Sequence, residues 1–223
     1  MRVFADRLAS GAVQAYAARM NNITLHKGDL PADLDLGAII AVDTEAMGLN
    51  PVRDALCVVQ ISSGDGSAHV VQLERSYDCP NLKALLADPA VLKIFHFARF
   101  DVAMMKKWMG ITCAPVWCTK IASKLSRTYT DRHGLKDVTR ELVGANMDKS
   151  QQSSDWGAEA LTDQQLQYAA SDVLHLHQIR DGLIKMLERE GRLELAQACF
   201  DFLPIRADLD LLGWDETDIF AHS

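Results

Sequence analysis

Acidic residues at three places in this sequence could together bind metal ions. Asp43 and Glu45 are two residues apart at the end of an apolar segment that is typical of a buried strand. Residues i and i+2 of a strand point to the same face, and two carboxylates held there repel each other unless a cation lies between them. By itself such a pair is weak evidence, because exposed surfaces often carry one.

Asp101 and Asp172 are the further acids. Asp101 follows another apolar segment, at a predicted strand-to-helix junction where aspartate often caps the helix, and taken alone we interpret it as a cap. Tyr168 and Asp172 are four residues apart in a predicted helix and therefore share one face, beside an apolar stripe. An acid next to a buried stripe is costly unless it is paired or metal-bound. Together, the four acids and Tyr168 predict a catalytic metal site.

The segments that must position these residues predict a mixed α/β fold with helices packed on a sheet. No Pro/Gly/Ser-rich linker divides the chain, so we predict one domain. Alternation and apolar runs indicate strands over 36–43, 54–62, 69–73 and 91–96, and helices over 81–88, 101–109, 117–127, 133–143, 162–188 and 190–200.

Composition restricts the class of protein. Apolar residues make up 48% of the 223 residues and charged residues 24%, as in an ordinary globular chain. No apolar run approaches the roughly 18–20 residues of a membrane span, so we expect no membrane association. The five cysteines are odd in number and none forms a C-x-x-C pair, which argues against disulfides and structural zinc. We expect a cytoplasmic protein.

The formal charge of −7 argues against binding of long nucleic acid through a broad basic surface. It permits a short phosphodiester whose charge is met by metal ions and a few local cations. One stretch, Thr119 to Arg140, is instead rich in lysine and arginine. This stretch is either a solvated helical face or a contact surface for phosphates.

The ordered acids and Tyr168 resemble the tyrosine-bearing branch of the DEDD exonuclease superfamily. Ribonuclease D is similar in further motifs, and the nano-RNase C family of small oligoribonucleases is more similar still, from about residue 24 to the end. The motifs are His133-Gly-Leu-Lys136, Ser154-Asp-Trp156, Tyr168-Ala-Ala-Ser-Asp172, Arg127-Thr-Tyr-Thr-Asp-Arg132 and the tail from Gly213-Trp214. Phe97 and Cys118 depart from ribonuclease D, which usually has Asn and Asp there, and this puts transfer of tRNA substrates in doubt.

The resemblance implies a ribonuclease H-like fold, a mixed sheet flanked by helices. Residues 25–223 would form the 3′-5′ exonuclease domain, and residues 1–24 an N-terminal extension outside the match. It further implies a homo-octamer, in which the basic stretch from Arg127 to Lys136 caps the 5′ phosphate of a neighbouring subunit's substrate.

The implied activity is metal-dependent 3′-5′ hydrolysis of very short RNA to 5′-mononucleotides. Two Mg²⁺ or Mn²⁺ ions would be held by the four acids, with Asp43, Glu45 and Asp172 sharing one ion and Asp101 acting through metal-bound water. Tyr168 would orient the attacking water. The expected substrate contacts are Thr44, Leu49, His96, Arg99 and Lys149.

The sequence leaves other functions open. The same chemistry could act on longer RNA or on DNA ends, since metal contacts to the backbone do not read the 2′ hydroxyl. A catalytically silent nucleic-acid-binding module is a second alternative, although such modules typically lose one or more acids. A purely structural domain would leave the acid cluster without a cation.

Overall fold

Six strands form one mixed sheet in the order β1-β4-β3-β2-β5-β6. A computed structural model of the chain describes residues 22–147, 151 and 153–222. The strands are β1 (Ile23–Lys27), β2 (Ile39–Ala46), β3 (Leu56–Ser62), β4 (Ala68–Gln72), β5 (Leu92–Phe95) and β6 (Val116–Cys118). Strands β2, β3 and β4 pair antiparallel, whereas β1 on β4, β5 on β2 and β6 on β5 pair parallel.

Helices cover the sheet. They are α1 (Pro80–Ala87), α2 (Ala98–Met104), α3 (Thr119–Ser126), α4 (Leu135–Leu142), α5 (Asp163–Leu174), α6 (Leu176–Arg189), α7 (Leu193–Asp201) and α8 (Leu203–Leu211), and a π-helical turn, Met105–Met109, extends α2. Every residue of β3 is buried, which explains its nearly continuous apolar sequence. Helix α5 packs on β1 to β4, and α6 packs mainly on α3 and α4.

The predicted helix over 162–188 is wrong in one respect, because it is broken. His175 ends α5 and begins α6 with φ −104° and ψ −7°. The break has a packing reason. Helix α5 packs on the sheet and α6 packs mainly on α3 and α4, so one straight helix could not make both sets of contacts. The predicted helix over 117–127 likewise begins as strand β6. Strand β1 and helix α8 were not predicted at all.

The mixed α/β class itself is confirmed. Residues 1–24 were predicted to form an N-terminal extension. Almost all of them lie outside the described residues, and strand β1 begins at Ile23. Among the helices that the structure describes, none is long and apolar enough to cross a membrane.

Candidate active site

Strand β2 presents Asp43 and Glu45 from within the sheet. The predicted strand ended at Asp43, whereas the observed strand continues to Ala46, so both acids are part of its pairing with β3. Asp43 is opposite Gln60, and Glu45 is opposite Val58. The register shifts directly after Glu45, which ends regular pairing where the chain leaves the site. The alternation of the strand places both carboxylates on the face that α5 covers.

Helix α5 brings Tyr168 and Asp172 to the same place. Its start is fixed by a capping box in which Thr162 and Gln165 bond each other's backbone and side chain. Carboxylate oxygens of Asp43, Glu45 and Asp172 come within 4.8 Å of one another. These three side chains, which we call the acid trio, therefore have the spacing that a shared cation requires.

Asp101 approaches the trio from a different element. Helix α2 begins at Ala98 with Phe97 as its N-cap, so Asp101 is in the first turn and the interpretation of Asp101 as a cap is wrong. Its side chain is buried, and its Oδ1 accepts a hydrogen bond of 2.6 Å from the hydroxyl of Thr44. Thr44, a predicted substrate contact, lines the cleft, and its largely buried side chain donates this hydrogen bond to Asp101.

Burial and mutual repulsion oppose ionisation of the acids at this site. Burial, and then repulsion from the neighbouring carboxylates, raises the pKa of Asp43 well above its usual range and the pKa of Glu45 to about 9. Burial raises the pKa of Asp101 to about 7. Oε1 of Gln60 is also buried and has no hydrogen-bond donor among the described residues. An excess of oxygen acceptors fits a divalent ion that prefers oxygen ligands, such as Mg²⁺ or Mn²⁺.

Gln60 is a site residue that the sequence reasoning missed. Its Nε2 donates a 2.9 Å hydrogen bond to Oδ2 of Asp43, its cross-strand partner. Gln60 is fully buried, so this bond holds the Asp43 carboxylate in one orientation. A glutamine inside the apolar sequence of β3 was the available signal, because a buried amide needs a partner.

A cleft of about 650 Å³ opens onto the acids. Leu49 is 88% exposed at its edge, and Phe97 is also exposed. The lining also includes His96, Phe100, Lys120, Lys136, Met147, Ser153 and Ser154. Lysines 120 and 136 are the members of the basic stretch that the structure places at the cleft.

The backbone around Leu49 is held by local hydrogen bonds. Oδ2 of Asp54 accepts from the backbone N–H of Asn50 at 2.9 Å, and Trp108 donates to the carbonyl of Pro51 at 3.1 Å. A Cβ on Gly48 would collide with the Asp54 carboxylate, so glycine is required there. The exposed Leu49 side chain is therefore presented by an ordered turn.

His96 has a tautomer that its neighbours define. Its Nδ1 is 2.8 Å from the hydroxyl oxygen of Thr119, and that hydroxyl donates to the carbonyl of Phe95 at 3.1 Å. Because the hydroxyl has one proton, Nδ1 of His96 must donate. The neutral ring therefore carries its lone pair on Nε2.

Two predicted substrate contacts are not part of the cleft as described. Arg99 bonds both carboxylate oxygens of Asp210 at 2.7 Å and also the carbonyl of Asp215, and it does not line the cleft. A bidentate pair with a buried carboxylate explains this position. Lys149 is outside the described residues.

Unlike the two lysines at the cleft, one arginine of the basic stretch is buried. Arg127 is fully buried and bonds Glu141, the hydroxyl of Ser123 and the carbonyl of Arg132, so it supports the loop before α4. This arginine is therefore neither a solvated charge nor accessible to a phosphate in this structure.

Comparisons with known proteins identify the family of the chain. Residues 25–188 match the 3′-5′ exonuclease family. The chain is 36% identical over 155 residues to ribonuclease D of Gluconacetobacter diazotrophicus, an alignment covering 70% of this chain and 39% of that protein. The chain spans about two fifths of the length of the curated relatives that it matches first.

Solved structures give a similar result over more of the chain. NrnC of Brucella melitensis with bound Mg²⁺ is 54% identical with a TM-score of 0.86, covering 91% of this chain and 100% of that chain. The same protein bound to pGG is 55% identical with a TM-score of 0.86, covering 91% of this chain and 99% of that chain. The resemblance to ribonuclease D-like proteins and the predicted fold are both confirmed.

Proposed function

The chain belongs to the 3′-5′ exonuclease family, and on that premise we propose that it hydrolyses very short RNA from the 3′ end to 5′-mononucleotides. The observation that carries the proposal is the convergence of the acid trio with Asp101 and Tyr168 at one cleft. The volume of about 650 Å³ is in the range of pockets for small ligands, which favours a substrate of few nucleotides. The binding of pGG by the similar Brucella protein supports the same substrate class.

Divalent metal ions, Mg²⁺ or Mn²⁺ and two in number, are part of the proposal. The trio of Asp43, Glu45 and Asp172 would hold one ion, and Asp101 would contact the ions through bound water. When bound, the ions would activate water and stabilise the charge that develops on the phosphate. The Mg²⁺ in the similar Brucella structure and the close approach of the three carboxylates support this choice.

The protein's own side chains orient the reacting groups. Burial and the nearby carboxylates raise the pKa of Tyr168 above its usual value of 10, so the phenol keeps its proton at neutral pH. Tyr168 therefore acts as a hydrogen-bond donor that orients water, and not as a base. Gln60 fixes the orientation of Asp43, while Lys120 and Lys136 supply positive charge for phosphates.

A length series of 5′-labelled RNA, from 2 to about 10 nucleotides, tests the proposal with Mg²⁺ and with EDTA. We expect complete conversion of dimers with Mg²⁺, no conversion with EDTA, and no activity in Asp43→Asn. The matched control is Asp33→Asn, which removes an exposed acid that does not line the cleft.

Each alternative function has its own outcome in that series. Accumulation of dinucleotides while longer RNA is shortened would show a nuclease for longer substrates. Preference for a DNA series over the RNA series would show a DNA-trimming enzyme. The 33% identity to DNA polymerase I of Aquifex aeolicus makes the DNA series worth including. Wild-type protein that binds RNA but cleaves none of these substrates would favour the silent binding module.

We further propose that the chain forms a homo-oligomer, an octamer by its family resemblance. Light scattering would then give a mass of about eight times the 24.7 kDa of one chain. A monomer mass at working concentration would refute the assembly without affecting the proposed chemistry.

A further inference from the structure

Phe97 combines an exposed ring with an unfavourable backbone conformation. It has φ 73° and ψ 43°, in the left-handed region that residues with a Cβ rarely adopt, and its side chain is 45% exposed. It is also the N-cap of α2, where Asn, Asp and Ser are preferred because their side chains accept a backbone hydrogen bond. Asparagine would suit both the conformation and the cap better than phenylalanine does.

Lys120 is positioned on that ring by the sheet. Strands β5 and β6 pair in parallel, so Phe97, which follows β5, and Lys120, which follows β6, emerge at the same edge. Nζ of Lys120 is 4.4 Å from the centroid of the Phe97 ring, within the distance of a cation–π contact. Both residues line the cleft together with the acid trio.

Phe97 therefore lowers stability in two ways, through its left-handed backbone conformation and through its lack of a capping side chain. A destabilising residue at the wall of a cleft indicates a functional reason for its presence. We infer that Phe97 and Lys120 form a base-binding subsite, in which the ring stacks on a nucleobase and the ammonium group contacts a neighbouring phosphate. This inference rests on the proposed function, because it names how the RNA substrate is held. We call the pair the Phe97–Lys120 subsite.

The chemistry of the pair fits a nucleotide better than an apolar ligand. Aromatic rings stack on bases of any sequence, which suits an enzyme that degrades short RNA without regard to sequence. A lysine beside the ring adds attraction for a phosphate, whereas it would disfavour a purely apolar ligand. Metal ions held by the trio would contact the scissile phosphate, and the exposed part of the ring remains accessible to a base.

Phe97→Asn separates binding from stability. We expect this variant to be as stable as the wild type or more stable, because asparagine tolerates the left-handed conformation and can cap α2. We expect KM for a dinucleotide to rise about 10-fold, the scale of one stacked base, with kcat changed less than about twofold. Phe97→Tyr keeps the ring and should restore KM.

Lys120→Met keeps the aliphatic stem and removes the charge. We expect a higher KM and a shallower dependence of KM on salt concentration. The matched controls are Phe220→Ala and Lys185→Met, which change an exposed phenylalanine and an exposed lysine outside the cleft lining. Both controls should leave KM unchanged.

A binding measurement keeps the test independent of turnover. A methylene-phosphonate dinucleotide that contains 2-aminopurine cannot be hydrolysed, and its fluorescence falls when the base stacks. With Mg²⁺, we expect quenching by wild type and Phe97→Tyr, and its loss in Phe97→Asn. Abasic analogues are measured by their competition with the fluorescent one, and an abasic site at one of the two positions should abolish the difference in affinity between wild type and Phe97→Asn.

The inference is overturned if Phe97→Asn binds the analogue as tightly as wild type does. It is also overturned if the difference in affinity between wild type and Phe97→Asn persists whichever of the two positions carries the abasic site. A Phe97→Asn protein that melts well below wild type would also overturn it, since the ring would then be structural. Wild-type quenching without hydrolysis of natural RNA would refute the proposed function while leaving the subsite intact.

Discussion

Glu45→Gln should make the metal-free protein more stable while it abolishes activity. The substitution keeps the shape of the side chain and removes one charge from the acid trio. Burial and repulsion from Asp172 and Asp101 raise the pKa of Glu45 from 4.5 to about 9 in the folded protein. The folded state therefore opposes ionisation of a group that ionises freely in the unfolded chain.

The size of the effect follows from linkage between protonation and folding. At pH 7 the folded protein keeps a proton on Glu45 that the unfolded chain releases, and each pH unit above 4.5 costs about 1.4 kcal/mol. The full difference at pH 7 is about 3 kcal/mol, and because Glu45 is partly accessible to water we expect about 1–3 kcal/mol. For a chain of this size, that corresponds to an increase of about 3–10 °C in Tm.

The pH dependence has a definite sign. A carboxyl group whose folded pKa is raised contributes its full stability below the unfolded pKa, and this contribution is lost as pH rises through the folded pKa. The stabilisation of Glu45→Gln over wild type, both in EDTA, should therefore be small at pH 5 and should grow up to about pH 9. Excess Mg²⁺ should stabilise wild type more than the variant.

Thermal denaturation at several pH values, in EDTA and in Mg²⁺, measures both effects. Glu188→Gln is the matched control, because it removes an exposed glutamate on α6. A difference in Tm between Glu45→Gln and wild type that stays constant from pH 5 to 9 would refute the electrostatic account of the trio.

Two further predictions concern single residues. Tyr168→Phe should lower kcat about 100-fold with KM nearly unchanged, and the pH–rate profile should keep its shape because this phenol stays protonated; a wild-type kcat would contradict its role in orienting water. Arg99→Met should lower the free energy of unfolding by about 1–3 kcal/mol, since it removes a partner of the buried Asp210, and should leave KM for dinucleotides unchanged. A large rise in KM without loss of stability would instead restore Arg99 as a substrate contact.

Strands β2 to β5 could be predicted because each lies in an apolar run. The strands of residues 56–62 and 68–72 were predicted to within two residues. Strand β1 was missed because its sequence, Ile-Thr-Leu-His-Lys, alternates over only five residues at the edge of the sheet. Strand β6 has three residues and runs directly into α3, so no periodicity can distinguish it from the helix.

The acids of the site could be proposed from their order, but their geometry could not. The spacing of Asp43 and Glu45 predicts a shared face, and the i, i+4 spacing of Tyr168 and Asp172 predicts another. That these faces meet depends on the packing of α5 on the sheet, which is a tertiary fact. For the same reason, the partner that holds Arg99, 111 residues later in the chain, could not be foreseen.

The two costly features of this site differ in what offsets them, and this difference makes them separable. Repulsion within the acid trio would be offset by the proposed cation, so it should influence the stability of the protein without any substrate present. The conformation of Phe97 is offset by a base only when RNA is bound, so it should influence KM and leave the response to Mg²⁺ alone. If Glu45→Gln and Phe97→Asn changed the same property, either metal-dependent stability or KM, the metal centre and the Phe97–Lys120 subsite would not be independent.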